Sequence, residues 1–162
     1  MTCVPGSPAA KHLRDEFVWG GTAYFLRVSS ERDNFGSEQL ARRIFSTLEE
    51  RAFDRLGDLL HDDVVVVSKL RPDVVMEGKD EVVRFIQEAL PDNFYDAAPT
   101  AYAPIDDARV VVEGRLRWID DDRVIRDDQV MWAMEFRDGL LYRYFPARTR
   151  IEAETILGGT ST

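Results

Sequence analysis

Three long stretches of mixed apolar and polar residues follow one another between Arg109 and Phe145, and they constrain the fold more than any other feature. Arg109–Ile119 and Arg123–Phe136 flank Asp120-Asp121-Asp122, a hairpin turn sequence that lacks the usual glycine. Asp138-Gly139 then separates the second stretch from Leu140–Phe145. Side chains alternate between faces along a strand, so three such stretches joined by short turns predict an antiparallel meander. What precedes them reads as helix. Ser37 is placed to cap a first helix carrying Leu40, Ala41, Ile44, Phe45 and Leu48 at helical spacing. A second helical stretch holds Ala52, Phe53, Leu56, Leu59 and Leu60 and ends at Asp62-Asp63. A third begins at Asp80, turns Val82, Val83, Phe85, Ile86 and Leu90 inward, and stops at Pro91. Between the second and third, Val64–Val67 is a β-branched run that predicts a strand buried on both sides. Pro72-Asp73 predicts a turn and Val74–Glu77 a short return strand. Helices first and strands last favour an α+β fold over a parallel doubly wound one.

One domain is expected over residues 37–157, with a frayed tail at 158–162. Residues 1–36 read as a poorly ordered leader: Pro5, Gly6, Ser7 and Pro8 break regular structure, and Phe17–Val28 is apolar without helical period. The alternative is a segment whose Trp19, Tyr24 and Phe25 cover a pocket or a dimer seam. Residues 92–108, rich in Pro, Asp and Ala, read as a loop. With 44% apolar and 10% aromatic residues the chain can build a core. No run approaches the ~18 apolar residues of a spanning helix. A net charge of −9 repels phosphate backbones and anionic lipid, so neither nucleic acid nor membrane is an expected partner. Asp15 and Glu16 precede the apolar stretch where a secretion signal needs a basic start, so a cytoplasmic location is expected. One cysteine, Cys3, and two histidines, His12 and His61, leave little for a metal site, and no cofactor is expected. The acidic pieces read as solvated turns, and His61 as a charge partner at a helix end.

The order of elements, with Glu77-Gly78-Lys79-Asp80-Glu81 opening the third helix, resembles the nuclear transport factor 2-like superfamily. The ending, Phe136-Arg137-Asp138-Gly139-Leu140-Leu141 then Tyr142-Arg143-Tyr144-Phe145 and an Ala/Glu-rich helix, is similar to the last hairpin of its SnoaL-like members. Among these are polyketide cyclases, limonene-epoxide hydrolases and ketosteroid isomerases. The resemblance covers about residues 37–157. It implies a cone-like, curved antiparallel (mixed) sheet wrapped around the N-terminal helices as a cystatin-like barrel, a pocket between them, and often a homodimer through the outer sheet face. The catalytic groups of the two enzyme families do not carry over. Anchored on Gly78, the isomerase base falls near Lys69 and its oxyanion acid near Trp132. Counted back from Gly139, the hydrolase Arg-x-Asp pair falls on Glu113-x-Arg115 and its other aspartate on Arg143, while its tyrosine and asparagine fall near Ser68 and Leu70.

The family register puts Glu113 and Arg115 inside, whereas hydrophobicity puts Val112, Leu116 and Trp118 there, and the sequence leaves both open. In the first register Glu113, Arg115, Asp128 and Arg143 meet in a hydrophobic pocket walled by Trp132, Val130 and Met76, with Ser68, Tyr144 and Tyr95 as further pocket candidates. Tyr95 would act as a lid. Two arginines would hold Glu113 as a fixed anion, leaving Asp128 as the general base and Arg115 and Arg143 to stabilise an enolate or carboxylate. The competing reading is an ion-pair network on a solvated sheet face. The expected activity is small-molecule binding, with cofactor-independent isomerisation, cyclisation or hydrolysis of a small apolar carbonyl or epoxide compound. The alternative is a non-catalytic ligand-binding or dimerising accessory module.

Overall fold

Burial in the last three strands follows a period of two, and that period sets the architecture. The computed structural model describes residues 35–91 and 94–158. In chain order these form α1 (Ser37–Glu49), the short α2 (Phe53–Leu56) running into a single 3₁₀ turn, β1 (Leu60–Ser68), β2 (Arg71–Glu77), α3 (Lys79–Ala89), β3 (Tyr95–Pro104), β4 (Arg109–Ile119), β5 (Ile125–Arg137), β6 (Leu140–Ala147) and α4 (Arg150–Gly158). The six strands make one curved, unclosed sheet in the order β2-β1-β6-β5-β4-β3. Only the β1–β6 pair is parallel.

The inner face of the sheet packs on α1, α2 and α3. Val110, Val112 and Leu116 of β4 stand there with Val130, Trp132, Met134 and Phe136 of β5, in one core with Ile44 and Phe45 of α1. The ring of Phe45 lies 4.9 Å from that of Trp132. A smaller cluster, Val111, Ala133 and Ala147 beneath Ala153 and Leu157, seats α4 on the outer face. The conflict over the register of β4 is therefore resolved in favour of hydrophobicity.

Several local expectations are corrected. Ser37 is not the helix cap. Gly36 holds that position, and the Ser37 hydroxyl reaches the β3–β4 connection, donating to the carbonyl oxygens of Asp106 (2.6 Å) and Arg109 (3.1 Å). Asp62 and Asp63 lie inside β1, whose Val64 and Val66 are buried while Val65 and Val67 are only partly so, so this strand is buried on one side. The turn falls at Lys69-Leu70, and Pro72 lies within β2, an edge strand where a missing N–H is tolerated. The loop expected after Pro91 contains β3, the opposite edge. Its residues are exposed or half-buried, and an irregularity at Thr100 accommodates Pro99.

That irregularity needs a glycine across from it. Gly114 pairs with Pro99 and faces Trp132. A Cβ added there would strike the Ala98 carbonyl oxygen and lie 2.7 Å from Trp132 Cζ3 and 2.8 Å from the Pro99 Cα. Two of these obstacles are backbone and cannot swing away. Gly114→Ala should therefore cost about 3 kcal/mol, the upper end of ordinary overpacking. Urea unfolding would read this as a lower midpoint with an unchanged slope; an unaltered midpoint would contradict the close approach.

Candidate ligand site

Where α1, α2 and α3 cover the β1–β6 end of the inner face, the packing leaves a hollow. Ile44 and Leu48 of α1, Leu56 of α2, and Val82, Phe85 and Ile86 of α3 form its helical wall. Leu60, Val66 and Ser68 of β1, with Leu141 and Tyr144 of β6, form its floor. Leu90 and Tyr95 stand at the two ends of the connection between α3 and β3. The cavity measures about 60 Å³. One water needs roughly 10–15 Å³.

Among the described residues, the wall holds ten hydrocarbon side chains, three hydroxyl groups and no charged side chain. Ser68 is buried, and its Oγ accepts the Leu70 N–H at 3.2 Å. Tyr144 is 8% exposed, and its hydroxyl oxygen is buried with no hydrogen-bond partner. The Tyr95 phenol is near enough to couple electrostatically to Tyr144, yet the pair falls short of hydrogen-bond geometry. Burial raises both phenols above their ordinary value, Tyr144 strongly, so both are neutral donors rather than bases across the physiological range.

The structure separates the four charged residues expected to converge. Asp128 is on the inner side of β5, where Lys69 Nζ lies 3.3 Å from its carboxylate, but it does not line the cavity. Glu113, Arg115 and Arg143 are on the outer face. Glu113 accepts from Gln129 Nε2 at 2.8 Å. Arg115 pairs with Asp127 (3.0 Å), and the arginine holds that carboxyl below the usual range. Arg143 lies 3.5 Å from Glu135 and 5.0 Å from the centre of the Phe145 ring. The physical reason is alternation: burying Val112 and Leu116 turns Glu113 and Arg115 outward. Trp132, Val130 and Met76 are buried in the core but do not line the cavity. Ser68, Tyr95 and Tyr144 do. Tyr95 opens a strand rather than sitting in a free loop, and His61 lies in β1, its ring edge-on to Tyr142. The reading of residues 1–36 as leader or pocket cover lies, except for Phe35 and Gly36, outside the described residues. Among the described residues, no three His, Cys, Asp or Glu side chains gather as a metal site, and no helix is long and apolar enough to cross a membrane.

The Lys69–Asp128 pair leaves no mark in the sequence, because Lys69 approaches from a turn more than fifty residues away along the chain. Leu48, Leu56, Phe85 and Leu90 were legible as apolar helix positions, though not as the wall of a cavity.

A curved sheet folded over three helices, with an apolar hollow between, defines a cone-like α+β class. A family model described as the SnoaL-like domain matches residues 41–144, more than half of the chain, and the chain belongs to that family. A Mycobacterium tuberculosis protein in complex with estradiol-17β-hemisuccinate is similar in structure, with a TM-score of 0.59 at 14% identity over 70% of this chain and 93% of that one. A Δ5-3-ketosteroid isomerase from Mycobacterium sp. matches with a TM-score of 0.58 at 14% identity, over 70% and 92% of the two chains. A nuclear-transport-factor-2-like protein of unknown function from Burkholderia pseudomallei gives 0.58 at 17%, over 77% and 97%. At these identities the likeness is one of fold. No curated protein matches in sequence.

The raised phenol of Tyr144 has a consequence for stability. Below about pH 10 the tyrosine is protonated in both folded and unfolded chains, so its contribution is intact. As pH rises further the unfolded chain loses that proton first, and stability falls toward the raised folded value. The urea midpoint should therefore drop between pH 9.5 and 11 (about the ordinary tyrosine range) more steeply in the parent protein than in Tyr144→Phe. Parallel profiles would contradict the burial of this hydroxyl.

Proposed function

We propose that this domain binds a small, uncharged, largely apolar molecule in the cavity between α1–α3 and the inner sheet face. The observation that carries this reading is the composition of the wall: among the described residues, ten hydrocarbon side chains, three hydroxyls and no charge. A charged ligand group would lose several kcal/mol of hydration with nothing opposite to compensate. The volume bears on size. At about 60 Å³ the hollow is smaller than the roughly 150 Å³ that accommodates benzene in an engineered apolar cavity. A compact ring therefore enters only as the lining side chains move outward. The Mycobacterium tuberculosis structure, in complex with estradiol-17β-hemisuccinate, supports a small-molecule role for the fold.

The same wall favours binding over acid–base turnover, because no carboxylate or imidazole of the described residues lines it. Asp128, paired with Lys69, is the one member of the expected charged set on the inner side, and it carries the alternative, enzymatic reading. Pairing of two copies through the outer face has its own support. Val75, Val65 and Val67 form an apolar strip there, and Val75 is 53% exposed.

A thermal-shift screen with cyclic ketones, cyclic hydrocarbons, progesterone and fatty acids tests the binding reading, since a ligand present at 100 times its Kd stabilises by about 2.7 kcal/mol. Neutral compounds should raise Tm in the parent protein and fail to do so in Ile86→Trp, whose indole fills the cavity. Arg115→Ala, on the outer face, should bind like the parent. Equal shifts with Ile86→Trp and the parent, or no shift with any compound, would sink the proposal. Loss of turnover in Asp128→Asn on a compound that still binds would move the conclusion to the enzymatic reading.

A further inference from the structure

Tyr144 is the one buried side chain at the cavity whose polar atom has nothing to bond to. A buried hydroxyl left unpaired is destabilising, and native structures rarely tolerate that without an ordered water or a use for the group. Its surroundings offer no relief. The neighbours across the hollow are hydrocarbon, Ser68 Oγ already accepts from the Leu70 N–H, and the Tyr95 phenol lies outside hydrogen-bond geometry. The backbone fixes where the hydroxyl stands, because Tyr144 pairs with Val66 on one side and Met134 on the other in the middle of the sheet.

We infer that the Tyr144 hydroxyl is a ligand-anchoring donor, and that the preferred ligand is a neutral apolar molecule presenting one acceptor oxygen, of ketone or ester carbonyl type, to it. This deepens the binding reading above and rests on it. A carbonyl satisfies the orphan donor without adding a proton that would itself need a partner. A carboxylate would bring an uncompensated charge into a wall without cations, and a plain hydrocarbon would leave the phenol as it is.

Three probes of similar size separate the possibilities: cyclohexanone, methylcyclohexane and cyclohexanecarboxylate, each titrated at pH 8 while the methyl resonances of Ile44, Leu48 and Ile86 are followed by NMR. The ketone should bind about tenfold more tightly than the hydrocarbon, the worth of one buried hydrogen bond. The carboxylate should bind weakest. In Tyr144→Phe, which keeps the ring and the cavity shape, ketone and hydrocarbon should become equal while the hydrocarbon affinity is retained. Tyr95→Phe, which leaves the Tyr144 hydroxyl in place, should keep a ketone preference. Equal affinity for ketone and hydrocarbon in the parent protein overturns this inference while leaving the pocket reading intact. A ketone preference that survives Tyr144→Phe overturns it as well, since the donor then lies elsewhere. Failure of both neutral probes to bind the parent protein overturns the pocket reading itself.

Discussion

The contact between Trp132 and the elements around it is the constraint on which the rest of the structure depends. The indole is buried against Phe45 of α1 and against the backbone at Gly114, where β3 and β4 come together without a side chain between them. Its position on β5 fixes which residues of that strand face the helices. Through the ladder it fixes the same choice for β4 and β6, since Val112 pairs with Trp132 and Tyr144 with Met134. A one-residue slip would exchange the two faces of the sheet. Placing Tyr144 beneath the helices and Arg143 outside is thus a consequence of where one large side chain is buried.

Magnitudes explain why hydrophobicity prevailed over the family register at β4. Burying a valine or leucine contributes about 1.5–3 kcal/mol. Burying a glutamate or arginine costs several kcal/mol per ion, and even a good partner recovers that only in favourable geometry. Inverting the strand would give up Val110, Val112 and Leu116, each fully buried, to bring in Glu113, Arg115 and Arg117. Outside, those side chains find cheap partners in Gln129, Asp127 and Asp96. Such exposed pairs contribute about 0–1 kcal/mol each, so the charged residues that stand out in the sequence matter little to the fold.

The helices and the three long strands were legible because each shows its own period over ten or so residues. β3 was not. An edge strand half in solvent needs no alternation of apolar residues, and Ala97, Ala98, Pro99 and Thr100 carry loop-like chemistry although they pair with β4. β2 concealed itself in the same way behind Pro72. Ser37 misled for a different reason: a hydroxyl at a helix start suits a cap, yet its carbonyl partners at Asp106 and Arg109 come from a connection some seventy residues on. Of the candidate site, Ser68, Tyr95 and Tyr144 were named from the sequence, but as minor members of a charged pocket.

A cavity has no sequence signature, because it is the space that side chains from several elements fail to fill. Here the shortfall falls where the short α2 and its 3₁₀ turn replace what the sequence reads as a longer helix, so Leu56 and Leu60 reach the hollow from a bend. Apolar lining alone would make this a packing defect that a larger side chain could fill. The Tyr144 hydroxyl argues otherwise. A defect closed by Phe at position 144 would keep the same ring and leave no buried hydroxyl in need of a partner. Tyr at this position places a donor where a molecule entering the hollow can meet it.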